Sequence, residues 1–224
     1  MSAPLPPEST SPMVPENDMR TRAKDHLPSV LLTLLSIMQA LALELVWDHI
    51  HEHDYLYQAS WTSVLGWVEI GATLFGVVLI WLIYTSMVMR FRWVPTTADS
   101  VFPFIVGIIE FLMIAALGVD RLGLWFMALA LIFGAMTWVS QVTMLRARLD
   151  GENDAFFASV SPATPRDFVA SIATVTTLAG LGIYLLLSRD QGWFALVALL
   201  IATTALAVQF RLNDRYWRRS MGLP

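Results

Sequence analysis

The sequence predicts an all-α fold, a bundle of six membrane-spanning helices with both termini on the cytoplasmic side. Three observations carry this reading. Of the 224 residues, 56% are hydrophobic and only 14% are charged, whereas a soluble domain is about 45–50% apolar and about 25% charged. Six stretches each hold enough apolar residues to cross the hydrocarbon, which takes about 20. The basic residues recur at alternate connections, as the tendency of Lys and Arg to stay on the cytoplasmic side requires.

Residues 1–26 carry Pro4, Pro6, Pro7, Pro12 and Pro15 among Ser, Thr, Glu and Asn. So little apolar surface reads as a disordered cytoplasmic tail. The membrane domain is expected over residues 27–211. Span 1, Leu27 to Trp47, carries one acid, Glu44; span 2, Trp61 to Met89, carries Glu69; span 3, Val101 to Val119, carries Glu110. Spans 4 to 6, Leu122 to Leu145, Phe168 to Ser188 and Gln191 to Phe210, are uncharged. Residues 212–224 form a basic cytoplasmic tail. Ala40–Leu41–Ala42 has the form of a signal-peptide cleavage site, but the charged region before it is far too long for a signal peptide.

The connections set the topology. Val119 to Arg121 and Arg189–Asp190 are tight turns that make their flanking spans antiparallel hairpins. With the N-terminus inside, twelve of the 14 basic residues fall on the cytoplasmic side, leaving only Arg121 and Arg189 outside. Trp47, Tyr55, Trp61, Trp125 and Trp193 then mark the outer boundary, a depth that amphipathic rings prefer. Arg outnumbers Lys heavily, which points to a bacterial plasma membrane. Small residues at Gly66, Gly71, Ala72 and Gly76 of span 2, Gly134 and Ala135 of span 4, and Ala170, Thr174, Thr177 and Gly180 of span 5 are candidate points of close helix approach.

Several chemistries are excluded by the residues they need. With no cysteine, disulfides, thiolate metal sites and cysteine nucleophiles are absent. There is no Gly-rich phosphate loop, no His-Glu-x-x-His and no Gly-x-Ser-x-Gly. The formal charge of −4, with basic residues scattered in short groups, leaves no footprint for nucleic acid. The expected partners are the lipid bilayer and either further copies of this chain or a larger membrane complex.

Three carboxylates and one short segment remain distinctive. Glu110 is at the middle of span 3, and Glu69 is roughly 12 Å below Trp61 at a rise of about 1.5 Å per residue. No Lys or Arg lies within any span, so Glu44, Glu69 and Glu110 must be protonated, hydrated, bound to a cation or hydrogen-bonded to neutral groups. Candidate neutral partners are Gln39, Thr73, Gln141, Thr174, Thr177, Thr203 and Thr204. Above Glu44, three of the four histidines fall in Asp48–His49–Ile50–His51–Glu52–His53–Asp54. Imidazole with carboxylate suits a divalent metal, held by Asp48, His49, His51 and His53; the plainer reading is a solvated loop that finishes the helix.

Read together, these groups form a descending ladder, and the leading expectation is a proton or cation transporter or channel using Glu44, Glu69 and Glu110. The first alternative is a non-catalytic scaffold or accessory subunit of a larger complex. The second is a metal-dependent membrane enzyme. Reporter fusions after Arg92, after Asp154 and at Pro224 should report cytoplasm, and a fusion at Tyr55 the outside; an outside signal at Pro224 overturns the topology.

Overall fold

The computed structural model describes residues 16–158 and 160–222. It is built from helices, with no strand among the described residues. In chain order they are α1 (Glu16–Glu52), α2 (Trp61–Arg90), α3 (Thr97–Ala115), α4 (Leu122–Arg148), the single turn α5 (Asp154–Phe157), α6 (Val169–Ser188) and α7 (Trp193–Ser220). All but α5 are long and apolar enough to cross a membrane, as in a multi-pass integral membrane protein.

Local chemistry sets most boundaries. At the start of α2, Ser60 Oγ accepts from the Ser63 N–H at 3.2 Å, filling one of the donors a helix N-terminus leaves open. Asp99 does this work for α3, accepting from the N–H and hydroxyl of Thr96. Asp167 repeats the arrangement on Thr164 ahead of α6. At its far end α6 stops where Arg189 turns left-handed, at φ 51°.

Two boundaries depart from the sequence reading. The tail expected to lack structure up to residue 26 is helical from Glu16; residues 1–15, which hold the five prolines, lie outside the described residues. Tertiary ion pairs hold the added turns. Lys24 contacts Asp150 at 2.5 Å and Glu152 at 3.0 Å, Arg92 contacts Glu152 at 2.8 Å, and Arg92 also pairs with Asp25. Burial works against ionising Asp150, but hydrogen bonds from Lys24 and the Glu152 N–H outweigh it and hold its carboxyl below the usual range. The basic tail expected from residue 212 is likewise a continuation of α7, to Ser220; residues 223 and 224 lie outside the described residues.

Contacts at both ends show that the long helices alternate in direction. The Lys24 and Arg92 pairs join the start of α1, the end of α2 and the segment after α4. The Ser86 hydroxyl donates to Asn213 Oδ1, bringing the end of α2 to the end of α7. This is the basic end of the bundle. At the opposite end, Trp61 Nε1 donates to the Gln191 carbonyl at 2.8 Å and stacks obliquely on Trp193.

Packing follows two seams. The most extensive is α4 against α6, and it depends on glycine. A Cβ on Gly123 would lie 2.7 Å from the Leu186 backbone nitrogen and 2.8 Å from the Gly182 carbonyl oxygen, so only glycine allows this approach. Of the glycines singled out in the sequence, Gly66 is close-packed, a Cβ there lying 2.7 Å from Leu56 Cδ2, whereas a Cβ at Gly71, Gly134 or Gly180 would meet nothing within 4 Å. The second seam sets Ala195, Ala198, Leu199, Ala202 and Leu206 of α7 against α2, all buried. Although consecutive, α6 and α7 touch little beyond Tyr184 and Phe194 beside their turn. Each leans on a different helix, and a cleft opens between them. Gly123→Val should therefore destabilise the bundle by about 1–3 kcal/mol, read by thermal unfolding in detergent, while Gly134→Val should stay within about 0.5 kcal/mol.

Candidate functional site

The three acids singled out in the sequence reach three different surroundings. Glu110 of α3 is fully buried, and its Oε2 accepts from Gln39 Nε2 of α1 at 2.9 Å. The other oxygens of this pair, Gln39 Oε1 and Glu110 Oε1, are buried with no partner. Glu69 of α2 is also buried, and its Oε2 accepts at 3.1 Å from the N–H of Gly118, in the turn between α3 and α4. Gly118 sits at φ 128°, a conformation that favours glycine. Beside it, the Glu69 carbonyl accepts from Thr73, whose hydroxyl oxygen accepts from Trp125 Nε1 at 2.8 Å.

Glu44 faces the other way. It is exposed, as are Leu41, Leu45, Trp47 and Asp48 around it. The interior face of α1 is instead Leu31, Leu35, Met38, Gln39, Ala42 and Val46. The acids therefore divide among an α1–α3 contact, a cap on the α3–α4 turn, and the outside of the bundle. Of the neutral partners expected for them, Gln39 serves Glu110 through its side chain, and Thr73 meets only the backbone of Glu69.

The histidine segment ends α1. His51 Nδ1 donates to the Trp47 carbonyl at 3.0 Å, and His53 Nδ1 donates to the His49 carbonyl at 2.9 Å. The His49 and His53 rings stack with centroids 4.1 Å apart, while Asp48 and His51 are exposed on another side. His49 and His53 therefore share one side of the helix end, and Asp48 and His51 lie on another. Among the described residues no three His, Asp or Glu side chains converge as a metal would require. The chain then turns over the start of α2, where the Leu56 carbonyl accepts from the Ser63 hydroxyl and from Trp67 Nε1.

An opening lies elsewhere, at the basic half of the bundle between α2, α4, α6 and α7. It measures about 1150 Å³. Gln141, Thr174, Thr177 and Thr204, expected to serve the glutamates, line this cleft instead. Thr177, Ile201, Thr204 and Val208 are exposed along its rim, so it opens sideways between α6 and α7. A second cavity of about 240 Å³ adjoins it, sharing Phe133, Ser140, Gln141 and Gln209, and leads to apolar walls of Leu79, Ile80, Met113, Leu129 and Ile132. Neither is lined by Glu44, Glu69 or Glu110.

The charge at the mouth of the cleft is basic. Arg90 of α2, Arg148 of α4 and Arg219 of α7 line it, with Asp167 as its acid. Sequence reasoning assigned these arginines only to topology. The signal it had was the count of basic residues at this end; which of them face a cavity depends on helix rotation.

Comparison with known protein families, curated proteins and solved structures finds no match. The residues alone therefore carry the functional argument. The Glu110–Gln39 contact gives a direct test of what the buried acids do. Glu110→Gln should leave stability within about 1 kcal/mol, because its new amide can donate to the unpaired Gln39 Oε1. Glu110→Leu should cost about 1–3 kcal/mol by stranding Gln39, and Gln39→Leu added to it should recover part of the loss. All three are read by thermal unfolding in detergent. If Glu110→Gln unfolds like the Leu variant, the hydrogen-bonded role is wrong.

Proposed function

We propose that this chain is a multi-pass membrane protein that takes a lipid-like amphiphile into the cleft between α2, α4, α6 and α7. The observation that carries the reading is the gradient along the cleft: arginines at its mouth, hydroxyls and amides midway, and aliphatic walls at its depth. Small-molecule sites are mostly apolar cavities of about 300–1,000 Å³ with a few placed polar groups. A volume of about 1150 Å³ with a lateral opening has room for a larger, chain-bearing molecule. In a bilayer the rim between α6 and α7 faces lipid, so such a ligand enters without crossing water. The basic end is read as the cytoplasmic side of a plasma membrane.

The proton or cation route through Glu44, Glu69 and Glu110 has less behind it. Burial of two acids favours it, but a relay needs shared space, and each acid is engaged at a separate contact. The cleft is lined by three arginines, which repel a cation. The accessory-subunit reading rests on Glu44, an exposed carboxylate among exposed leucines that a partner helix with a hydrogen-bond donor would cover.

The cleft reading is tested by filling the cleft. Ser140→Trp and Thr177→Trp should each lower binding of a labelled acyl-chain lipid to the purified protein by about tenfold or more while the thermal midpoint holds. Lipid binding that survives both substitutions would place the ligand elsewhere and overturn the reading.

A further inference from the structure

The basic end of the bundle treats its cations in two ways. Lys24, Arg92 and Arg146 each meet a carboxylate: Lys24 on Asp150, Arg92 on Glu152, and Arg146 on Asp99 at 2.8 Å. Among the described residues Arg90 and Arg148 meet none, and both line the cleft. Arg148 Nη2 donates to the carbonyls of Val160 and Ser161, and its guanidinium lies 4.4 Å from the Phe157 ring centre. Arg90 is more isolated. It lies near the rings of Phe91 and Trp217, at 5.6 and 5.9 Å, and its Nε and Nη2 are buried with no hydrogen-bond partner.

These two nitrogens form the side-on edge of the guanidinium, the fork that fits two oxygens of one phosphate. Arg90 is half-buried with this edge desolvated, which favours a counter-charge beside it, and among the described residues no carboxylate hydrogen-bonds to it. Asp167, the acid on the cleft wall, holds its Oδ2 on the Thr164 N–H at 2.7 Å and hydroxyl at 2.9 Å. An anionic ligand in the cleft would supply the two oxygens that this fork lacks. Arg219 on the facing helix adds a second guanidinium to the same mouth.

We propose that the mouth of the cleft is a phosphate site, in which Arg90, assisted by Arg148 and Arg219, receives the anionic headgroup of an amphiphile whose chain occupies the apolar depth. This rests on the cleft reading above and adds the headgroup chemistry. Binding turns the fork of Arg90 from beneath the aromatic rings toward the cleft, and the two faces of the phosphate are shared between α2 and the pair α4 and α7. A zwitterionic headgroup brings its own ammonium to this mouth and gains less.

The test uses the full chain in detergent, with phosphatidic acid and phosphatidylcholine of identical acyl chains, and inorganic phosphate, read by native mass spectrometry. Wild type should bind phosphatidic acid about tenfold more tightly than phosphatidylcholine. Arg90→Gln should remove that preference by weakening phosphatidic acid alone; retained phosphatidylcholine binding shows that the cleft is intact. Arg90→Lys, which keeps the charge and loses the fork, should fall between. Equal binding of both lipids to wild type, or an undiminished preference in Arg90→Gln, overturns the phosphate site while the cleft reading stands. Inorganic phosphate binding as tightly as phosphatidic acid overturns the amphiphile and leaves a soluble-anion site. Loss of both lipids from wild type overturns the cleft reading itself.

Discussion

Polar groups enclosed by this bundle have almost no water to fall back on, and that constraint organises the structure. In an apolar surrounding a buried polar group without a partner costs several kcal/mol. Hydroxyls therefore turn back onto their own helices, as Thr73 does on Glu69, Thr137 on Phe133 and Thr203 on Leu199. Groups too large for that are used between helices. Glu110 ties α3 to α1 through Gln39, and Glu69 ties α2 to the α3–α4 turn through Gly118. The two most buried acids thus hold together the first four helices, and their burial needs no transported ion to explain it.

The same constraint makes the basic half of the bundle stand out. There the interior is not closed. Because α6 follows α4 through the Gly123–Gly182 contact and α7 follows α2 through a row of alanines, the two last helices diverge from their shared turn. Polar residues on the inner faces of α4, α6 and α7 line the gap without closing it. A bundle that only needed to be stable would bring α6 and α7 together with small residues, as it does at Gly123. The cleft is the price of keeping them apart, and a ligand with both polar and apolar parts gives that cost a use.

Charge at this end is partitioned in space. Carboxylates of Asp25, Asp99, Asp150 and Glu152 gather Lys24, Arg92 and Arg146 into a clasp over the loops. Asn153 strengthens it, donating to the carbonyls of Arg92 and Ala147. Arg90, Arg148 and Arg219 face the cleft instead. One stretch of sequence, from Leu145 to Asp154, therefore supplies both the closing of the basic end and one of the arginines at the cleft mouth.

The number of long apolar helices, their order and their approximate limits were legible in the sequence, because hydrophobic length is a local property that composition alone reveals. That a buried acid without a basic neighbour must find a neutral donor was legible as well, but Gln39 stood only as one of seven candidates, and packing selected it. Rotation about each helix axis was not legible. Glu44 and Gln39 are separated by little more than one turn, yet one faces outward and the other inward; hydrophobic periodicity is too weak to orient a helix that is apolar on every side. The same blindness hid Gly123 and Gly182 among glycines such as Gly71 and Gly134 that touch nothing, and hid the first turns of α1, whose ion pairs reach across more than a hundred residues. It also hid the cleft. Sequence determined which residues lie in the helices, and tertiary packing decided which of them share a space, because only the meeting of two helix faces brings together Arg90 and Arg148 from chain positions that no local pattern connects.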